Sequence, residues 1–340
     1  MVFSASAVTA SENPNFHSAS YFLWRQLLWA AAGLAAMFLL ASVPYRGYDK
    51  PGIVFPLLGC TLILLAAVFF LDPSHHTHRW MRAGPLSFQP SELAKLALIL
   101  FLAWFLAPRT KLMDDWRALL GSTAVTVVLA VLVVVEPDLG TAIILAAIAA
   151  VMLFVAGMRL RYYLYPLPLV PPLFYFLVYK VPWRWARVLA FFNSLGDSRH
   201  YSFHILQSLI AVGTGGFAGT GLMEGKQKLF FLPEAHTDFI FAVIAEEWGL
   251  LGALTVIGFY GLFCYRGLRL AMGTRDPFTR LLATGITSMV VIQALLNVSV
   301  VLGMLPAKGI PLPLISYGGS SLFVTLAAIG VLLNITRYAG

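Results

Sequence analysis

Charge is scarce in this sequence. Only 11% of the 340 residues are Asp, Glu, Lys or Arg, where a water-soluble domain carries about a quarter. Cysteine is scarcer still. Cys60 and Cys264 stand alone in separate apolar runs, which excludes a disulfide framework or a metal spacing and leaves packing as their reading. The opening stretch MVFSASAVTASENP has neither a basic n-region nor an apolar h-region, so it reads as no secretory signal. A basic tail and aromatic single-strand modules are also missing, which sets nucleic acid aside despite a net charge of +8.

Apolar surface is abundant: 59% of residues are hydrophobic and the mean hydropathy is +0.82. Repeated apolar runs of about 18 to 25 residues indicate an all-α polytopic transmembrane bundle. We read one integral membrane domain over 1–340 with nine spans, at 22–43, 52–71, 92–107, 117–135, 139–157, 162–179, 239–264, 281–304 and 318–336. The sixth carries Pro166, Pro168, Pro171 and Pro172, so it is expected to kink or break where it lines a cavity.

Lys and Arg crowd one set of short loops: Arg46, Lys50, Arg109, Lys111, Arg117, Arg159, Arg161, Arg266, Arg269, Arg275, Arg280 and Arg337. That side is cytoplasmic by the positive-inside rule. Segments 1–21, 72–91, 136–138, 180–238 and 305–317 then lie outside. The 180–238 loop is too long for a plain connector and reads as ordered and functional.

On that outer side the polar residues gather at helix beginnings, in QPSELAKL (89–96), EPDLGTA (136–142), HTDF (236–239) and SYGGSSL (316–322). Ser91 and Asp138 suit helix caps, and free N–H groups at helix starts suit a phosphate. Capping does not account for Lys95 one turn into a span, or for Glu246–Glu247 two turns into another, where ionisable groups are expensive. Arg79 and Trp80 suit a phosphate and a sugar face, although an interfacial Trp is equally a belt residue. His75, His76 and His78 lack the spacing of a helical ligand pair, and Asp72 is their only nearby acid, so they read as a solvated loop. VGTGGFAGTG (212–221) lacks the GK[ST] ending of a phosphate loop and reads as a flexible bend. Asp238 stands at the boundary of a span, where its proton affinity is tunable as a general base requires. The bland alternative is an ion pair with Lys95, Arg187 or Lys228.

HRWMRAGPLSFQPSELAKL, EPDLGTA, QSLIAVGTGGFAGTGL, KLFFLPEAHTDFIFAVIAEEWG and MLPAKGIPLPLISYGGSS occur in this order along the chain. Together they resemble the FtsW/RodA/SpoVE family over nearly the whole sequence, and Lys308 of LPAKG sorts with its division rather than its elongation members. The resemblance implies a peptidoglycan glycosyltransferase acting at the outer face of the cytoplasmic (inner) membrane in septal wall synthesis. It would take lipid II as donor and acceptor and release undecaprenyl pyrophosphate. It would work with a class B penicillin-binding protein, the transpeptidase, and other division proteins. The family's essential aspartate falls on Asp238 and its tryptophan on Trp80. Arg79, Gln89, Ser91, Glu92, Lys95, Arg187, Gln207, Lys228, Glu234, His236 and Ser320 are the expected substrate-binding set, with no metal ligand among them. A divalent cation is compatible with the leaving diphosphate, and no organic cofactor is implied. Family members have ten spans, so MVFSASA is expected to be the end of a first one. His204 and GLMEGKQK depart from the family pattern. A lipid II flippase and a non-catalytic scaffold for the transpeptidase are the alternatives. Outward clustering of charge and the absence of a visible repeat speak against the first, and a scaffold has no use for Asp238.

Overall fold

The computed structural model describes residues 1–6, 20–44, 47–71, 79–83, 86–112, 116–192, 200–229, 232 and 235–338. Its helices are α1 (Tyr21–Ser42), α2 (Pro51–Leu71), α3 (Pro90–Leu106), α4 (Trp116–Val135), α5 (Leu139–Val155), the irregular α6 (Arg161–Tyr179), α7 (Pro182–Phe192), α8 (His200–Gly215), α9 (Ile240–Gly273), α10 (Pro277–Val301) and α11 (Gly319–Tyr338). Residues 2–6 are also helical. One antiparallel hairpin, β1 (Met81–Ala83) with β2 (Leu86–Phe88), precedes α3 and pairs Met81 with Phe88.

Among the described residues α1, α2, α3, α9, α10 and α11 are long and apolar enough to cross a membrane, and the bent pair α6–α7 adds a seventh candidate. Helices α4 and α5 are apolar but present shorter apolar stretches, Leu119–Val135 and Leu139–Val155. Length and hydropathy alone thus support six single crossings among the described residues, or seven with the bent pair. The outward side chains agree with lipid as the solvent: Phe38, Ile63, Phe70, Val128, Phe176 and Phe259 are all exposed, an apolar surface that water disfavours and hydrocarbon accepts. The chain is a multi-pass membrane protein.

The chain clusters into two compact units. One comprises Leu27–Arg159, Gly261–Ile292 and Gly318–Gly340, and the other Met1–Gln26, Leu160–Tyr260 and Gln293–Tyr317. Helix α3 is the hub of the first unit, packed against α2, α4, α5 and α11. It starts at Pro90, whose fixed φ and missing N–H suit a first helical position, and buries residues all round, including Leu98, Ile99 and Leu102. The N-cap is Gln89 rather than Ser91, and it makes no side-chain capping bond. At the other end Arg109 lies 4.1 Å from the Phe105 ring centre and donates to the Phe105 carbonyl. Asn334 of α11 donates to the carbonyls of Ala41 and Val43, which fastens α11 to the end of α1.

In the second unit the prolines of α6 have the expected effect. A 3-10 turn at Leu167–Leu169 gives way to Val170–Phe174 and then a π-turn at Tyr175–Tyr179, and the chain bends by 101° into α7. Arg184 donates to the Leu177 carbonyl across that bend. The core of this unit is built by Phe239 to Ala245 with Ala211, Ala294, Val300, Val301 and Leu312, and Ala5 of the N-terminal helical turn belongs to it.

Candidate active site

Asp238 is half-buried at the entrance to α9, in the turn 235–239. The turn is held by its main chain. Asn297 of α10 donates at 2.7 Å to the carbonyls of both Asp238 and Ile310. Ser316 donates to the Thr237 carbonyl at 2.5 Å and accepts from the Leu312 N–H at 2.8 Å. The Tyr317 N–H donates to the His236 carbonyl at 2.9 Å. The Asp238 carboxylate itself lies against Gly309, where a Cβ would stand 2.7 Å from Oδ2. The catalytic candidate is thus fixed to the 308–317 loop, and its side chain occupies the space that a glycine leaves.

His236 faces an aromatic cluster. Its ring centre is 4.8 Å from that of Phe22 and 5.7 Å from that of Tyr317, and Phe22 meets Tyr317 edge-on at 5.1 Å. Arg25 donates to the Tyr21 hydroxyl at 3.0 Å, and Gln26 donates to the Ser316 carbonyl. Burial raises the Tyr317 phenol above its ordinary value, against the lowering pull of Arg25, so the phenol stays protonated as a hydrogen-bond donor.

Glu246 and Glu247 turn inward rather than towards lipid. Helix α9 breaks at Gly249, where φ is +66° and ψ −159°. The carbonyls of Glu246 and Glu247 instead accept from the N–H groups of Thr220 and Gly221, and Leu250 N–H donates to the Gly216 carbonyl. The Glu246 carboxylate accepts from the N–H groups of Lys226 and Gln227 at 2.7 and 3.1 Å. Glu247 pairs with Lys228 at 2.5 Å and accepts from Ser4. The 212–221 stretch is therefore a docked strap rather than a flexible bend. Its glycines let backbone meet backbone: a Cβ on Gly219 would fall 2.2 Å from the Glu247 carbonyl oxygen.

The first unit holds a separate polar network. Gln89 donates to Ser91 at 2.8 Å and to Asp138 at 3.3 Å. Asp138 caps α5, as expected, by accepting from Thr141 N–H and its hydroxyl. The Arg79 guanidinium caps the 136–138 turn, donating to the carbonyls of Glu136 and Pro137. Glu136 is fully buried, and neither carboxylate oxygen is hydrogen-bonded among the described residues. Burial, then Asp138, push its acid up to about 8 against the opposing pull of Arg79. Lys95 and Glu92 form a buried ion pair at 2.9 Å, which accounts for a lysine one turn inside a span. Ser320, in the first turn of α11, is buried and its hydroxyl has no partner.

The expected residues thus divide between the units. Asp238, His236, Gln207, Arg187 and Lys228 are in one; Arg79, Trp80, Gln89, Ser91, Glu92, Lys95 and Ser320 are in the other. Lys228 departs from its expected role: it is buried and spent on Glu247 and Ser4, because an ammonium in the interior needs a fixed counter-charge. Arg187 is half-buried with its guanidinium 5.2 Å from the Trp183 ring centre, Gln207 is half-buried on α8, and Trp80 is half-buried just before β1. Glu234 and His75, His76 and His78 lie outside the described residues. Among the described residues no three His, Cys, Asp or Glu side chains converge as metal ligands. Asn297, Gly309, Ser316 and Tyr317 escaped the sequence reading. The available signal was Gln293 and Asn297, two amides four apart in an apolar span and so on one helix face. Gln293 donates to the Pro311 carbonyl of the same loop.

A family model described as cell cycle protein, FtsW/RodA/SpoVE, matches residues 1–340. The chain is 44% identical to the probable peptidoglycan glycosyltransferase FtsW of Geobacter metallireducens, over 100% of its own length and 91% of the relative's. It is 38% identical to stage V sporulation protein E of Bacillus subtilis, over 100% and 93%. A solved chain from work on the structural coordination of polymerization and crosslinking by a peptidoglycan synthase complex is similar with a TM-score of 0.78 and 32% identity, over 99% of this chain and 94% of that one.

Proposed function

The chain belongs to the FtsW/RodA/SpoVE family, and from that premise we propose that it is a peptidoglycan glycosyltransferase that extends glycan strands from lipid II during septal wall synthesis. The reaction is a displacement at the anomeric carbon of the donor sugar. The lipid diphosphate departs without needing a proton, so the paired carboxylates of a glycoside hydrolase are unnecessary and one base suffices. Asp238 is that base, removing the proton from the acceptor's 4-hydroxyl as the new bond forms with inversion. A positioned base contributes about 10² to 10⁴ in rate.

The observation that carries this reading is the mounting of Asp238. Its main chain is fixed by Asn297, Ser316 and Tyr317, while its carboxylate is half-buried against Gly309. A base held to within a fraction of an ångström is what proton abstraction requires. His236 and Tyr317, beside it, orient the acceptor sugar.

Helices α4 and α5 and the irregular α6 complete nine crossings with the six long helices. The Lys and Arg distribution supports an inner-membrane topology with the Asp238 end outside. The partner is a class B penicillin-binding protein, in keeping with the polymerization and crosslinking complex of the structural relative. The test is purified protein with its transpeptidase partner and labelled lipid II. Wild type is expected to make glycan polymer and Asp238→Asn none; equal polymer from both removes Asp238 from the mechanism.

A further inference from the structure

Lys228 and Glu247 flank the Asp238 turn in sequence and meet in the fold, Glu247 standing two turns into α9. Lys228 Nζ meets Glu247 Oε1 at 2.5 Å. Ser4 completes the contact, donating to the same carboxylate oxygen and accepting from Lys228 at 2.8 Å. All three side chains are buried. Glu247 Oε2 is buried with no hydrogen-bond partner among the described residues, and Oε1 carries the contacts to Lys228 and Ser4. Glu246, one residue earlier, accepts from the N–H groups of Lys226 and Gln227. The chain at 226–228, ahead of the Asp238 turn, is therefore fastened to α9 at Glu246 and Glu247.

Leu232 and Ala235 are buried, Leu232 N–H donates to the Gln227 carbonyl, and residues 240–247 of α9 are buried throughout. The Asp238 turn is sewn to the 308–317 loop by Asn297, Ser316 and Tyr317, and Lys228, ahead of it in sequence, is fastened to α9 by the ion pair. A buried ion pair is weak evidence for stability, because well-packed apolar side chains usually replace one without loss. Its value here is geometric.

We propose that the buried Lys228–Glu247 pair, completed by Ser4, is a clasp that positions Asp238 for proton abstraction. Lys228, Glu247 and Ser4 are positioning residues that act through Asp238. This inference rests on the reading of Asp238 as the base. Opening the clasp lets the turn shift relative to Gly309 and Asn297, which lowers the rate of the chemical step. Substrate affinity, set elsewhere, is kept.

The test uses the full chain with its transpeptidase partner and labelled lipid II, measuring kcat and KM separately. Single changes, Lys228→Met or Glu247→Gln, leave a buried charge unpaired and can prevent folding, so the decisive variants are doubles. Lys228→Met with Glu247→Leu is expected to keep its melting temperature, to lower kcat about 10-fold or more and to leave KM within about twofold. The swapped pair, Lys228→Glu with Glu247→Lys, is expected to recover most of the loss. An apolar double with wild-type kcat overturns the clasp, as does one in which melting temperature, kcat and KM all deteriorate together. Asp238→Asn is run alongside. Polymer from Asp238→Asn at the wild-type rate overturns the reading of Asp238 as the base. An inactive Asp238→Asn beside fully active clasp variants overturns the clasp alone.

Discussion

Asn297 bridges two separate pieces of chain: its Nδ2 donates at 2.7 Å to the carbonyl of Asp238 and at 2.7 Å to that of Ile310. The amide is buried, and its oxygen has no hydrogen-bond partner among the described residues, so its orientation is set by the two carbonyls. Asn297→Leu leaves both carbonyls unsatisfied, at about 1–3 kcal/mol for a buried polar group. Asn297→Asp is worse, since it turns a carboxylate oxygen towards two carbonyl oxygens. Both variants are expected to melt at lower temperature and to polymerise lipid II more slowly than wild type, with Asp the more severe. Melting curves and polymer yield check the order.

Gly309 tests placement of the carboxylate without disturbing the fold. An added methyl at 309 meets the end of the Asp238 side chain at 2.7 Å, and the next two nearest atoms, at 3.5 and 3.8 Å, also belong to Asp238. The side chain yields rather than the backbone. Gly309→Ala is therefore expected to fold with a melting temperature near that of wild type and to lose polymerase activity about 10-fold or more, by displacement of the proposed base. A polymerisation assay at matched protein levels distinguishes this from unfolding.

How far the sequence foresaw these features depends on whether the information was local. The long apolar helices were legible because hydropathy over a span is a local sum, and four prolines within 166–172 announced the broken α6. Asp138 as a cap was legible for the same reason: Thr141 is three residues away. The crossing number was less so, because α4 and α5 are bounded by turns that leave shorter apolar stretches. The strap was misread because a glycine-rich stretch looks the same in sequence whether it is loose or pressed against another backbone. What decides is the break at Gly249, some thirty residues on. Lys228 looked available for a diphosphate because its partners, Glu247 and Ser4, are distant in sequence. Asp238 itself was identified by resemblance. Its boundary position made a base plausible, and the contacts that mount it are all tertiary.

Two glycines six residues apart, one in the strap and one in the helix that leads into it, are expected to respond in opposite ways. Gly219 has φ +84°, and a Cβ there would fall 2.2 and 2.5 Å from the carbonyl oxygen and carbon of Glu247. Neither backbone can move without undoing the Gly221–Glu247 bond. Gly219→Ala is expected to destabilise by about 2 kcal/mol or more, from the left-handed backbone and the overlap together. Gly213 is in helix α8 with nothing within 4 Å of an added Cβ. Gly213→Ala should be neutral or stabilising by up to about 1 kcal/mol. Thermal unfolding of the two variants in the same detergent makes the comparison.

Glu136 gives the first unit a pH dependence of definite sign. Its acid is raised to about 8, chiefly by burial and then by Asp138. The folded chain therefore binds this proton more tightly than the unfolded chain, whose glutamate titrates near an ordinary value of about 4.3. Between those two values the folded state holds the proton and the unfolded state has released it, so stability falls as pH rises. Below the window the contribution is fully present, and above about 8 it is gone and the ionised group is a burial cost. Glu136→Gln keeps the shape and cannot ionise. Wild type is expected to lose melting temperature from pH 5.5 to 8.5, roughly the upper part of the window, while Glu136→Gln loses less and overtakes it at the alkaline end. Parallel melting curves for the two proteins would sink the buried, unpaired carboxyl as the source of the effect.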